Sequence, residues 1–80
     1  MDNYGYQIYC TIHLLEVLGL IHEDAPCDLR YEAGERVYNE FLMVMEASKA
    51  SSNQSEYDDI LDYIKANPVR VSQCLGGVKA

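Results

Sequence analysis

Two cysteines and two histidines near the start of the chain could bind a metal ion. Cys10 and His13 are three residues apart, and His22 and Cys27 follow, so that eighteen residues contain two thiols and two imidazoles. Zinc prefers thiolate and imidazole ligands, and a pair at i and i+3 on a helix can share an ion. A small zinc-stabilised protein is therefore one hypothesis. The spacing follows no zinc-finger pattern, so no cofactor is predicted and free thiols with surface imidazoles are the default interpretation.

Patterns typical of catalysis are missing from the sequence. It contains no nucleophile elbow, no phosphate-binding glycine loop and no His-Glu-x-x-His pattern. Asp58, Asp59 and Asp62 could in principle hold a divalent cation, but hard cations take six or more oxygen ligands and no others of suitable spacing lie nearby. A solvated acidic face explains these aspartates more simply. We therefore expect a protein that is not an enzyme.

Acidic residues outnumber basic ones, thirteen to six, and the net charge is −7. A protein with this charge repels phosphate backbones and anionic lipid unless its basic residues are concentrated in one patch. Here they are spread along the chain, and no two are neighbours. They are Arg30, Arg36, Lys49, Lys65, Arg70 and Lys79. We expect a protein partner with a basic surface, and neither direct nucleic-acid binding nor membrane binding.

Apolar residues recur at helical spacing and nowhere alternate as in a strand, which predicts an all-α fold. The expected architecture is a single domain, residues 1–80, with three main helices over about residues 3–18, 26–47 and 55–66. A short C-terminal helix over about residues 68–75 follows. No stretch resembles a signal peptide or reaches the roughly 20 apolar residues that span a bilayer. With Cys10, Cys27 and Cys74 too widely spaced for a disulfide framework, we expect free, buried thiols and a cytoplasmic protein.

The first helix is apolar on most of its sides. Only a strip with Tyr9, His13 and Glu16 looks solvent-facing, so this helix is predicted to be central or to meet another chain. The second possibility supports an alternative function, a homodimeric structural or regulatory protein. Asp2 or Asn3 can cap the helix at its start. At its end Gly19 suits the left-handed position of a Schellman cap, with Leu20 folding back onto Leu15.

The second helix shows the clearest amphipathic pattern. Pro26 suits its first turn, and Gly34 within the apolar face predicts a close helix crossing. Its apolar stripe contains Ala33, Val37, Tyr38, Phe41, Leu42, Val44 and Met45.

A polar, serine-rich loop is predicted over residues 48–54. Ser55 then caps the third helix, whose inner stripe contains Tyr57, Ile60, Leu61 and Ile64, with Tyr63 at its border. Asn67 and Pro68 read as the cap and first residue of the fourth helix, which Gly76 and Gly77 end.

Carboxylates are sorted onto two helical faces. They are Glu32, Glu35, Glu40 and Glu46 on one face and Glu56, Asp58, Asp59 and Asp62 on the other. Carboxylates three or four residues apart on a helix stand about 5–6 Å apart at Cβ, a scale similar to the spacing of phosphates on a nucleic-acid strand. Tyrosine is enriched at interfaces, and Met43 is an apolar residue among these acids. The predicted partner-binding residues are Glu32, Glu35, Asn39, Met43, Glu46, Glu56, Asp59, Asp62, Tyr31 and Tyr38.

These features favour a non-enzymatic protein-binding module. In size and composition the chain resembles small acidic helical proteins common among phage accessory and host-takeover proteins, including anti-CRISPR proteins. That resemblance implies an inhibitor that occupies the basic groove of a nucleic-acid-handling protein. The homodimer and the zinc-stabilised protein remain alternatives, and the acidic faces could also serve only to keep a small protein in solution.

Overall fold

Four helices make up the computed structural model, which describes residues 3–48 and 55–76. They are α1 (Tyr4–Val17), α2 (Cys27–Ser48), α3 (Glu56–Ala66) and α4 (Pro68–Gly76). No strand occurs in these two ranges. The predicted all-α fold is confirmed, and the predicted ends of all four helices agree with the structure to within one residue. The described residues do not include Asp2, Gly77 or residues 49–54, which make up most of the predicted loop.

The end of α1 has the predicted Schellman cap. Gly19 has a φ of 76°, its N–H donates to the Glu16 carbonyl at 3.0 Å, and the Leu20 N–H donates to the Leu15 carbonyl at 2.8 Å. This pair of hydrogen bonds satisfies carbonyls that the helix itself leaves open. The predicted N-terminal cap is wrong in its chemistry. Asn3 is the capping residue, but its side chain makes no capping hydrogen bond.

The predicted cap of α3 is confirmed, because Ser55 Oγ accepts a hydrogen bond from the Asp58 N–H at 3.2 Å. Asn67 joins α3 to α4. Its side-chain amide donates to the Tyr63 carbonyl at 3.0 Å, and its own carbonyl accepts from the Val71 N–H at 3.0 Å. Pro68 is then the first residue of α4, as expected of a residue with no N–H to offer. Pro26, in contrast, precedes α2 instead of lying in its first turn.

All four helices contribute to one core. Its members are Ile8, Ile12, Leu14, Leu15, Val37, Tyr38, Phe41, Ile60, Tyr63, Ile64 and Val71. An aromatic chain runs through it, with ring centroids 5.7 Å apart for Tyr4 and Tyr38, 6.0 Å for Tyr38 and Phe41, and 5.8 Å for Phe41 and Tyr63. Such offset and edge-to-face pairs add to the burial of apolar area. Tyr63 is therefore a core residue and not a border residue.

The central helix is α2 and not α1. Helices α2 and α3 each pack against all three other helices, and the contacts of α2 are the most extensive, whereas α1 packs against α2 and α3 only. The side of α1 turned away from α2 remains open, so Tyr6 and Val17 are exposed in addition to the predicted Tyr9 and His13. The prediction for Glu16 is also wrong in part, because this residue is half-buried.

Helices α1 and α2 cross closely at Gly34, as the sequence predicted. A Cβ atom on Gly34 would lie 2.5 Å from Ile12 Cγ1 and 3.1 Å from the Ile8 carbonyl oxygen. Glycine therefore lets the backbone of α2 approach α1 more closely than any other residue could. The gain in packing offsets the low helix propensity of glycine.

Gly34→Ala should destabilise the protein by up to about 2 kcal/mol, because overpacking costs about 1–3 kcal/mol and the better helix propensity of alanine returns only about 1 kcal/mol. Urea unfolding followed by far-UV circular dichroism measures this. Gly5→Ala is the matched control, since Gly5 also lies in a helix but a Cβ there meets nothing within 4 Å. The control should be neutral or stabilised, and equal stabilisation of both variants would contradict the close crossing.

Candidate functional site

The three arginines of the chain are all used in ion pairs with its own glutamates. The N···O distances are 2.8 Å for Arg30 and Glu16, 3.1 Å for Arg36 and Glu32, and 2.6 Å for Arg70 and Glu40. The Arg30 pair joins α1 to α2, and the Arg70 pair joins α4 to α2. Each arginine charge is therefore neutralised locally, and the arginines form no basic patch in the described part of the chain.

The outward side of α2 carries a continuous exposed stripe. We call this stripe the outer α2 face, and its residues are Glu32, Arg36, Asn39, Met43 and Glu46, all exposed. Successive members are three or four residues apart, so their side chains are neighbours on the helix surface. Met43 is 66% exposed and lies between Asn39 and Glu46. Four of the ten predicted partner-binding residues therefore share one accessible surface.

Two further glutamates are engaged by tyrosines. The Tyr4 hydroxyl lies 3.1 Å from both Glu35 Oε2 and Asn39 Oδ1, to which it donates its one hydrogen in turn. Partial burial raises the pKa of Tyr4, which keeps this donor protonated. The Tyr38 hydroxyl lies 3.3 Å from both oxygens of Glu56. Glu35 and Glu56 are half-buried as a result, so they help to fix helix positions as well as adding negative charge.

The structure places Tyr38, one of the predicted partner-binding residues, in the core. Its side chain is a member of the core and only 5% exposed. Tyr31, the other predicted tyrosine, is half-buried and packs edge-on against Tyr9 of α1 with ring centroids 5.7 Å apart. It belongs to the α1 side of the molecule and not to the outer α2 face. On α3, Asp58 and Asp62 are exposed and Asp59 is half-buried.

Sequence reasoning identified only part of an exposed surface along α1, namely Tyr9 and His13. We call it the outer α1 face, formed by Tyr6, Tyr9, His13 and Val17, all of which are exposed, with half-buried Cys10 between them. Tyr6, Tyr9 and Val17 are 69%, 59% and 67% exposed. The neighbouring Cys10 thiol raises the pKa of the Tyr6 hydroxyl. The sequence does not single out this side, because α1 is apolar on most of its sides and the packing of α2 and α3 decides which side stays open.

The proposed metal ligands are not gathered. Residues 3–48 and 55–76 contain no group of three or more histidine, cysteine, aspartate or glutamate side chains placed to hold a metal ion. The zinc set of Cys10, His13, His22 and Cys27 therefore forms no site within a single chain. The three thiols are free, as predicted, but they are not buried, because Cys27 is exposed and Cys10 and Cys74 are half-buried.

One apolar cleft lies where the α1–α2 connector, the start of α2 and the end of α4 meet. It has a volume of about 230 Å³. It is lined by Leu20, Ile21, His22, Ala25, Leu29, Arg30, Ala33 and Leu75. Binding sites for small molecules usually measure about 300–1,000 Å³. Its polar side chains are His22, whose Nδ1 accepts a hydrogen bond from the Asp24 N–H, and Arg30, which Glu16 and the Ala25 carbonyl already engage. The cleft therefore offers little to a ligand.

Comparison with known proteins does not assign a family. No family model matches the chain, and no curated protein or solved structure is significantly similar to it. Within the described residues, no helix has both the length and the apolar character needed to cross a membrane.

The Tyr63 hydroxyl is the most perturbed ionisable group. It is buried and has no hydrogen-bond partner among the described residues. Burial, and then the nearby Glu40 carboxylate, raise its pKa to about 12. Burial also raises the pKa of the Cys74 thiol on the facing helix α4. Both groups therefore remain neutral in the folded protein at physiological pH.

Tyr63 should make the protein sensitive to alkali. The Tyr63 hydroxyl has its ordinary pKa of 10.0 in the unfolded chain and a pKa of about 12 in the folded protein. Between these two values the unfolded chain loses the proton first, which favours unfolding. The free energy of unfolding is therefore unaffected by this group below pH 10 and falls as the pH rises toward 12. Tyr63→Phe should remove this part of the pH dependence of the free energy of unfolding, measured by urea unfolding at increasing pH. Tyr57→Phe, at the edge of the same helix, should follow the wild type. A pH dependence unchanged in Tyr63→Phe would contradict the assignment.

Proposed function

We propose that this protein is a non-enzymatic protein-binding module and that its outer α2 face engages a partner with a basic surface. One observation carries the proposal, which is the exposure of Met43 on α2 between Asn39 and Glu46. An apolar side chain surrounded by polar and charged groups is the pattern of an interface anchor with its rim. Methionine suits such a position because its flexible side chain adapts to the surface that it meets.

The charge distribution favours a basic partner over an apolar or acidic one. The arginines are neutralised by glutamates of the same chain, and the whole chain carries a net charge of −7. The surplus includes carboxylates such as Glu46 and Asp58, which are exposed on α2 and α3. A surface of this kind attracts a basic protein over several ångströms and speeds its association, with a strong dependence on salt.

The most specific form of the proposal is an inhibitor of a nucleic-acid-handling protein. Carboxylates that repeat along α2 and α3 imitate a short array of phosphates and occupy the groove in which the partner binds nucleic acid. Small acidic phage accessory proteins, anti-CRISPR proteins among them, resemble this chain in size and composition. Free thiols agree with action in the reducing cytoplasm.

Two substitutions on the outer α2 face test the proposal. The wild-type protein is immobilised, partners are captured from a lysate of the native host and identified by mass spectrometry, and the affinity of the recovered partner is then measured. Glu46→Lys should weaken binding by about 1–3 kcal/mol, roughly 5- to 150-fold, because it places a cation against a basic surface. Met43→Ala should cost about 1–2 kcal/mol through loss of the anchor. Both side chains are exposed, so circular dichroism should be unchanged.

Matched controls distinguish a specific role of the outer α2 face from general effects of net charge and of exposed apolar area on binding. Asp24→Lys makes the same change in net charge at an exposed position in the α1–α2 connector, and Val69→Ala truncates an exposed apolar side chain on α4. Both should bind the partner like the wild type. Equal loss of binding in Asp24→Lys and Glu46→Lys would show that partner binding depends on the net charge of the protein and not on the outer α2 face.

Competition distinguishes the inhibitor from other binding modules. Binding should weaken steeply as salt is raised, since exposed charge pairs are screened. Duplex DNA or RNA added to the complex should displace this protein if both occupy one groove. A partner that holds nucleic acid and this protein together would contradict mimicry but leave the protein-binding module in place. Binding that is indifferent to salt would contradict the basic partner itself.

A further inference from the structure

The outer α1 face is a second surface, independent of the proposed partner. It consists of Tyr6, Tyr9, His13 and Val17, with Cys10 between them, and none of these side chains carries a formal charge at pH 7. The nearest acid on the helix, Glu16, turns to Arg30 of α2 at 2.8 Å. An uncharged and largely apolar stripe is unexpected on a chain with a net charge of −7, because exposed side chains of such a protein are mostly polar.

We propose that the outer α1 face binds the same face of a second copy of this chain, forming a two-fold dimer with antiparallel α1 helices. The charge pattern favours a second copy as the occupant. Two copies of a protein with this net charge repel each other over most of their surfaces, and the outer α1 face is where the repulsion is smallest. A basic partner, in contrast, gains nothing from a face without carboxylates.

The spacing along the stripe is self-complementary. Residues 6, 10, 13 and 17 follow the four-three-four spacing of a coiled-coil seam, and the spacing reads the same in both directions. About a two-fold axis between residues 11 and 12, Tyr6 lies opposite Val17 of the second copy, and Cys10 lies opposite its His13. Each large side chain therefore meets a smaller one, which is the arrangement that fills space between two helices. Parallel helices would set Tyr6 against Tyr6.

The exposed area suits a weak dimer. At about 150–250 Å² for a tyrosine side chain, Tyr6 and Tyr9 together expose roughly 250 Å² per copy, and thus about 500 Å² across a two-fold interface. Val17 and His13 add part of the remainder. A specific interface needs about 1,000 Å² in total, and interfaces at that limit form transient complexes. The dimer should therefore be weak and form only at high protein concentration.

Sedimentation velocity of the full chain in EDTA tests the proposal. Over a protein concentration of about 1 μM to 1 mM, the wild type should pass from monomer to dimer. His13→Glu sets one carboxylate near the axis in each copy and should remain monomeric throughout, with an unchanged helical signal because His13 is exposed. EDTA removes metal ions that Cys10 and His13 could share. A dimer that forms only without EDTA would overturn the proposal.

Gln73→Glu controls for net charge, since it adds one carboxylate at an exposed position on α4. It should dimerise like the wild type, and loss of the dimer in both variants would overturn the assignment of the face. Alkylation of the thiols gives a second measurement. Cys10 should become several-fold slower to react as concentration rises, whereas exposed Cys27 should not. A monomer at every concentration, or protection of Cys27 instead of Cys10, would also overturn the proposal.

Discussion

The arrangement of this protein depends on the contact between α1 and α2 at Gly34. There the α2 backbone approaches α1 so closely that a single added carbon would overlap Ile12 and press on the Ile8 carbonyl. An 80-residue chain buries a smaller fraction of its surface than a larger protein does. It cannot add further layers to its core, so the close packing of its two longest helices contributes much of that core. The crossing also sets which side of each helix meets solvent, and the two candidate surfaces are the sides turned away from it.

Polar contacts add to this packing by linking α2 to each of the other three helices. Tyr4 reaches from α1 to Glu35 and Asn39 of α2, and Tyr38 reaches from α2 to Glu56 at the start of α3. Arg70 binds Glu40 and so ties α4 to the same helix. Carboxylates that the sequence places on the outer faces thus divide into two groups. Some hold the helices together, and others, such as Glu46, are left for solvent or for a partner. Exposed pairs of this kind contribute little stability one by one, so packing still dominates.

Local signals in the sequence predicted the helices well, because caps and breakers act over a few residues. Ser55, Gly19 and Pro68 each mark a helix end in the structure as expected. These local signals could not predict which residues are buried where the helices pack together. Tyr38 belongs to the apolar stripe of α2 and was also predicted to contact a partner, and the packing of Tyr4 against it in the folded protein is what buries it. Apolar residues on every side of α1 likewise cannot reveal which side remains open, since this depends on where α2 and α3 pack.

The two candidate surfaces do not exclude each other. Because α1 and α2 pack together through their inner sides, the outer α1 face and the outer α2 face point in different directions. A dimer joined through α1 would therefore leave Met43 and Glu46 of both copies exposed and related by the two-fold axis. Two such faces on one particle bind a partner with paired basic surfaces far more tightly than one face can, because the second contact forms at a high effective concentration. A weak dimer would then make the affinity for such a partner depend on protein concentration, so that homodimer and binding module become one mechanism instead of rival explanations.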